Sequence, residues 1–363
     1  MSKTNTQFNP QDWTPSRRKV LATAALSAAG ISIPSLLAAC GSTPSSSGGS
    51  GEGDFPSHPK WNFVFVNHVT TNEFFVPTQY GIKDACDLLG CTYQWTGSEK
   101  SIASEMVNAM NTAIAGKADG IAVSIVDPTA FNAPVENALN AGIPVVSYNA
   151  DAPASSGNKR LAYIGQDLYQ SGVQVGNRFL TLVNSGDVVG FISTPGQLNI
   201  QPRIDGVKAA IQASGKPIHF TQIATGALQT DELNAVEAYY LGHKNLAGMV
   251  AVDGGSTASV GQVIQKYNLA GKIHGAGYDM ETQTIQAVQA GNLDFTVDQQ
   301  PYLQGFLPVV YLFLYKLSGG LVAPPETDTG LLFVTKDNVA PYLNTKTRFE
   351  GSSNKEQVVP ASS

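Results

Sequence analysis

From residue 61 onward, short runs rich in β-branched and aromatic residues alternate with longer stretches whose apolar positions recur at three- and four-residue steps. The short runs have the character of strands, and the longer period is that of helices. Residues 61–66 read as a buried strand, and 76–89 as a helix packing Ile82, Ala85, Leu88 and Leu89, closed by Gly90;. Strands are expected at 92–95, 121–126 and 143–148, with helices at 102–114 and 133–140 between them. Beyond a Pro/Ser/Gly-rich loop at 152–158 the pattern resumes. Strands are expected at 188–192, 218–223, 248–252, 272–278 and 294–297, and helices at 168–183, 202–214, 231–242, 256–268, 281–290 and 302–317. Repeated βα units imply parallel sheets sandwiched by helices. Nine or ten strands in about 290 residues exceed one comfortable sheet. The expected fold class is therefore α/β, with two doubly wound parallel-sheet lobes.

Charge narrows the partners. The chain has 28 acidic and 22 basic side chains, and four of the bases (Lys3, Arg17, Arg18, Lys19) lie near the N-terminus. With no Lys/Arg run after Lys19, the surface is a poor match for nucleic acid phosphates. Three cysteines exclude a disulfide framework, and no CxxC pair offers a zinc site;. Cys86 and Cys91 stand open between a bridge across a helix end and two buried free thiols. The histidines at 58, 68, 219, 243 and 274 form no HExxH or HxxxH pair, and there is no GxSxG elbow, Walker A loop or GxGxxG after a strand;. The expectation is no catalytic residue, no metal and no cofactor. Paired carboxylates for glycoside hydrolysis are the enzymatic arrangement that sequence leaves open.

Residues 1–39 read as an export signal. Arg17 and Arg18 directly precede a mostly apolar stretch, the arrangement of the twin-arginine route;. Leu37-Ala38-Ala39-Cys40-Gly41 resembles the lipobox of bacterial lipoproteins, in which Cys40 becomes the lipidated first residue; the alternative is an ordinary signal with an incidental cysteine. Residues 40–60 form a Ser/Gly-rich tether, whose root-mean-square span is roughly 25 Å as a 20-residue coil. Residues 350–363 are expected to be a flexible tail. The expected location is extracytoplasmic, in the periplasm or at the cell surface, with a lipid anchor and no membrane-crossing segment in the mature part.

In open parallel sheets, ligands sit beyond the carboxyl ends of the strands. The loops there supply Asn72, Phe74, Phe75, Asp127, Asn149, Arg203, Asp253, Asp279 and Gln299. Carboxylates, amides and a guanidinium each match a pair of adjacent hydroxyls, and aromatic rings cover C–H faces. Burying hydroxyls is unfavourable unless nearly all are paired, so a sugar needs this kind of convergence. An anion would meet three acids and one arginine. Each residue also has a plainer reading. Asp127, Asp253 and Asp279 follow strands where helix caps belong, Phe74 and Phe75 begin a packed helix, and Arg203 opens a helix beside surface acids.

Several segments carry a family resemblance: Asn72-Glu73-Phe74-Phe75, Asp127-Pro128-Thr129, Pro144-Val145-Val146-Ser147-Tyr148-Asn149, Arg203-Ile204-Asp205-Gly206, Gly277-Tyr278-Asp279 and Asp298-Gln299-Gln300-Pro301. In this order they resemble the type I periplasmic binding proteins, in the ribose- and galactose-type branch serving ABC sugar importers. The resemblance runs from about residue 61 to 344. It implies two similar lobes joined by a three-segment hinge, with a ligand cleft between them. The crossings would fall near 165–167, 298–300 and 326–328. Residues 61–165 plus 300–326 would form the N-terminal lobe, and 166–299 plus 327–349 the C-terminal lobe. By the same resemblance Asn72, Phe74, Phe75, Asp127 and Asn149 would reach the ligand from the first lobe. Arg203, Asp253 and Asp279 would do so from the second, and Gln299 from the hinge.

The sequence departs from ribose binders in two places. Ala150 follows Asn149 where they carry an arginine, and Gly226-Ala227-Leu228 lacks their stacking aromatic. Another pentose, a hexose, a furanose or a sugar alcohol therefore stands open. The expected function is capture of a neutral monosaccharide or polyol by hinge closure, with delivery to an ABC permease, by a monomer. The alternatives are a binding protein for a furanosyl autoinducer or nucleoside, or a sugar sensor for a signalling receptor.

Overall fold

The computed structural model describes residues 56–321 and 323–344. The export signal, Cys40, most of the tether, residues 345–349 of the expected second lobe and the 350–363 tail lie outside the described residues.

The first sheet contains β1 (Asn62–Asn67), β2 (Thr92–Gly97), β3 (Gly120–Val123), β4 (Val145–Tyr148), β5 (Tyr163–Gly165) and β11 (Glu326–Asp328), in the order β11-β5-β4-β3-β1-β2, all parallel. The second contains β6 (Gly186–Ile192), β7 (Ile218–Ala224), β8 (Leu246–Ala251) and β9 (His274–Ala276), in the order β7-β6-β8-β9. A further pair, β10 (Thr296–Asp298) with β12 (Leu332–Val334), is antiparallel. A bridge from Ala276 to Phe295 and a bond from Asp279 N to Val297 O (2.8 Å) align β10 beside β9. The two halves thus repeat one order, β2-β1-β3-β4-β5 and β7-β6-β8-β9-β10.

The helices are α1 (Val76–Leu89), α2 (Ala103–Ala115), α3 (Asn132–Asn140), α4 (Leu168–Phe179), α5 (Gln201–Ala213), α6 (Gln229–Gly242), α7 (Gly254–Lys266), α8 (Thr282–Ala290), α9 (Pro301–Ser318) and α10 (Ala340–Asn344). After β10 the chain returns to the first sheet, because α9 packs on α1 and β4. It leaves again after β11, with α10 against α8. The backbone therefore passes between the halves three times: after β5, after β10, and between β11 and β12.

Both faces of each sheet are covered, which is why the strands read as nearly continuous apolar runs. On β1, Phe63 and Phe65 enter one core while Val64 and Val66 enter another. On β6, Val189 and Phe191 enter one core while Val188 and Ile192 enter the other.

Several boundaries differ from the expectation. β3 stops at Val123 rather than 126, and the chain turns toward the other lobe, where Val126 O accepts from Leu198 N (2.9 Å). β9 starts at His274 rather than 272, because Lys272 N still bonds Leu269 O (2.9 Å) in a turn. β5, β11 and β12 have three residues each, too few to show a period. Cys86 and Cys91 are both free and buried, and burial pushes the Cys91 thiol up to about 11.

Candidate functional site

The carboxyl ends of the strands from both sheets converge on one cavity. Its lining includes His68, Phe74, Phe75, Ser101 and Asn149 from the first lobe and Thr194, Asn199, Arg203, Glu232, Asp253 and Asp279 from the second, with Gln299 at a crossing. The free space is about 70 Å³. That corresponds to roughly five waters at ~10–15 Å³ each, the scale of one small polar molecule.

The lobes touch around this cavity. Ser101 Oγ donates to Gln197 Oε1 (2.5 Å), and Gln197 Nε2 donates to Ser101 O (2.8 Å). Thr282 Oγ1 donates to Glu73 Oε1 (2.8 Å). Asn199 Nδ2 donates to His68 Nε2 (3.1 Å), and His68 Nδ1 lies 3.0 Å from Ser124 Oγ. Since Nε2 accepts, His68 is neutral. Burial, and then the Arg203 charge, hold its imidazole down at about 3.

Arg203 is placed by a close helix crossing. A Cβ on Gly172 of α4 would stand 2.1 Å from Arg203 O, so only glycine lets the first turn of α5 settle there. The buried guanidinium donates from Nη1 to Val252 O (3.1 Å) and from Nη2 to Gln166 Oε1 (3.2 Å), and lies 4.2 Å over the Tyr278 ring. Among the described residues its Nε, though buried, has no hydrogen-bond partner. A buried donor left unpaired costs about 1–3 kcal/mol, a deficit that a ligand acceptor in the cavity removes.

Opposite it lies a group of acids. Asp253 caps α7, accepting from Ser256 N (3.0 Å) through Oδ1 and from Ser193 N (2.9 Å) through Oδ2. Gly254 and Gly255 follow because carboxyls occupy the space of their missing side chains. Built Cβ atoms there would stand 1.7 Å from Glu281 Oε1 and 1.7 Å from Glu232 Oε2. Burial, and then the facing Asp253, push the Glu232 carboxyl well above the carboxylate range; Glu281 rises through burial and then Asp279. Asp279 is raised to about 6 by burial, against the lowering pull of Arg203 and of its bond from Gln299 Nε2 (2.6 Å). Glu232 is thus held toward its protonated form, with the proton shared with the facing Asp253;.

Of the nine residues singled out in sequence, Phe74, Phe75, Asn149, Arg203, Asp253, Asp279 and Gln299 line the cavity. Asn72 and Asp127 do not. Asn72 Oδ1 accepts from Phe74 N (2.8 Å), capping the short turn that presents the two rings. Asp127 Oδ1 accepts from Thr129 N (2.9 Å) and Ala130 N (2.8 Å), and those bonds lower its carboxyl. Both are local caps, the plainer reading of such residues. The phenyl rings meet edge to face at 4.7 Å, and Phe75 meets His68 the same way at 5.3 Å.

Sequence reasoning passed over His68, Ser101, Thr194 and Asn199, which lie in strand-end loops, and Glu232, which does not. Glu232 lies on α6, where an acid reads as solvated surface. The signal that marks it is Gly254-Gly255, two adjacent glycines opening a helix against something bulky.

Comparisons with known proteins agree with this geometry. The profile of the family described as "Periplasmic binding protein domain" matches residues 63–319. The xylose/arabinose-binding protein XylF of Sulfolobus acidocaldarius is 52% identical over 316 residues, covering 83% of this chain and 77% of that protein. The D-ribose/D-allose-binding protein of Pseudomonas aeruginosa is 24% identical, covering 67% of this chain and 78% of that protein. Among solved structures, an ABC transporter solute-binding protein of Burkholderia graminis in complex with D-arabinose superposes with a TM-score of 0.72 at 25% identity, covering 78% of this chain and 98% of that one. The first two are named for the sugars they bind, and the third is a solute-binding protein with D-arabinose bound. The chain belongs to the periplasmic binding protein domain family.

Proposed function

We propose that this protein captures a neutral aldopentose in the interlobe cavity and delivers it to an ABC importer. One observation carries the reading: seven polar or aromatic side chains chosen for sugar chemistry line a single small cavity shared by both lobes. The strong similarity to a xylose/arabinose-binding protein favours a pentose over a hexose. Phe74 and Phe75 serve as the apolar wall against the C–H face, and Asn149, Arg203, Asp253, Asp279 and Gln299 bind hydroxyls.

Binding works by closure. Each lobe carries part of the polar set, so only the closed form makes every bond to the ligand. The three backbone crossings act as the hinge, and a membrane permease reads the closed form. Cys40 carries the lipid anchor, and the protein works as a monomer outside the cytoplasm. A nucleoside site would want a second aromatic wall. Trp95, the available candidate, lies outside the cavity lining and donates Nε1–H to Thr70 O (3.0 Å).

A thermal-shift panel of pentoses, hexoses and polyols tests the reading. A ligand that binds only the native state raises the Tm. D-xylose or an arabinose is expected to give the largest rise. A panel without effect, or one led by a nucleoside, contradicts the proposal.

A further inference from the structure

Gln304, in the first turn of α9, is fully buried and stands behind the cavity rather than in its lining. A chain of amide hydrogen bonds nevertheless runs through it from one lobe to the other. Gln299 Nε2 donates to Asp279 Oδ1 (2.6 Å). Gln304 Nε2 faces three acceptors: Gln299 O (3.1 Å), Gln299 Oε1 (3.2 Å) and Thr329 Oγ1 (3.1 Å). Asn149 Nδ2 donates to Gln304 Oε1 (3.0 Å).

The direction of this chain is dictated by its ends. A carboxylate and a main-chain carbonyl only accept. Asp279 therefore takes the nitrogen of Gln299, and the Gln299 carbonyl takes the nitrogen of Gln304. Gln304 is left with its oxygen toward Asn149, and Asn149 must turn its nitrogen away from the cavity. The amide is planar, so with Nδ2 held on Gln304 the side chain cannot flip, and Oδ1 is the acceptor it presents to a ligand;.

We propose that Gln304 is a specificity-determining positioning residue: it fixes the Asn149 carboxamide with Oδ1 toward the ligand, selecting a hydroxyl that donates at that point. This rests on the reading of the cavity as a pentose site. A free amide can rotate to meet either a donor or an acceptor; a fixed one discriminates. Gln304 makes that discrimination without touching the sugar.

Fluorine is close in size to hydroxyl but donates nothing, so monofluoro analogues of the tightest-binding pentose probe each position by calorimetry at pH 7.5. In the wild type, one position is expected to lose thirtyfold or more in affinity, and Asn149→Ala identifies it by abolishing that loss. In Gln304→Leu the hydroxyl-to-fluoro ratio at that position falls at least fivefold, while the ratios elsewhere stay within twofold. Buried among acceptors, the Gln304→Glu carboxyl stays protonated; it still accepts from Asn149 and donates to the Gln299 carbonyl, and so keeps the ratio within twofold, an independent check should the leucine variant not fold;. Affinity lowered by a common factor for all analogues in Gln304→Leu, or a collapsed ratio in Gln304→Glu, overturns the inference while leaving the sugar reading intact. Absence of binding by any sugar overturns the reading and the inference together.

Discussion

Asn149 and Asp279 hold the same place in the two halves of the molecule. Each follows the fourth strand of its sheet, each is preceded by a buried tyrosine, and each has a left-handed backbone, with φ of 63° and 73°. The tyrosines are anchored alike, Tyr148 by Asn67 Nδ2 (2.9 Å) and Tyr278 by Ser171 Oγ (2.7 Å). Asn and Asp tolerate this backbone better than other side chains, and both reach the cavity from it;.

Strain and binding can therefore be separated at Asp279. Asp279→Ala and Asp279→Gly both remove the carboxylate, and both are expected to weaken sugar binding at least tenfold. Only alanine suffers the left-handed penalty of about 1 kcal/mol. Urea unfolding should place the glycine variant above the alanine variant by about that much. Equal midpoints would show that the backbone there relaxes without cost.

Gln197 tests the proposed closure. It exchanges two hydrogen bonds with Ser101 across the cleft. At about 1 kcal/mol per bond, Gln197→Ala should raise Kd roughly five- to thirtyfold. Under the proposed closure these contacts form only once the lobes meet, so the change should appear in koff by stopped-flow fluorescence, with kon nearly unchanged;. An unaltered koff would mean the contact adds nothing to closure.

Two buried groups give opposite pH dependences. The Glu232 carboxyl is raised in the folded protein, so its contribution is present below its unfolded value and lost as pH rises;. Glu232→Gln should gain stability relative to wild type between pH 5 and pH 8. His68 is lowered to about 3, so its contribution is present above the ordinary histidine range and lost as pH falls;. His68→Gln should lose less stability than wild type between pH 7 and pH 4, with an upper limit of ~1.4 kcal/mol per pH unit. Urea midpoints across pH measure both, and parallel profiles would refute the assignments.

Much of this was legible because the relevant signals are local. The βα alternation survives in residues 61–66 and 76–89 because a doubly covered parallel strand and an amphipathic helix impose their own periods. Strand-end residues such as Asp253 could be named because parallel topology places strand ends beside ligands. The three-residue strands β5, β11 and β12 escaped because pairing, not period, makes them strands. Asn72 and Asp127 were placed at the ligand by strand-end position and by the family resemblance, and in the structure each caps its own turn; nothing in the sequence distinguishes such a side chain from one reaching a cavity. Glu232 was missed for the converse reason, since its proximity to Asp253 exists only once α6 and α7 have packed.

The central claim is that both lobes grip one neutral pentose. Isothermal titration of the purified protein with D-xylose and with both enantiomers of arabinose tests it most directly. The account predicts 1:1 binding of at least one of them at micromolar Kd or tighter, weakened at least tenfold by Arg203→Ala in the second lobe and by Asn149→Ala in the first. Binding that survives either substitution unchanged, or no heat from any pentose, would contradict it.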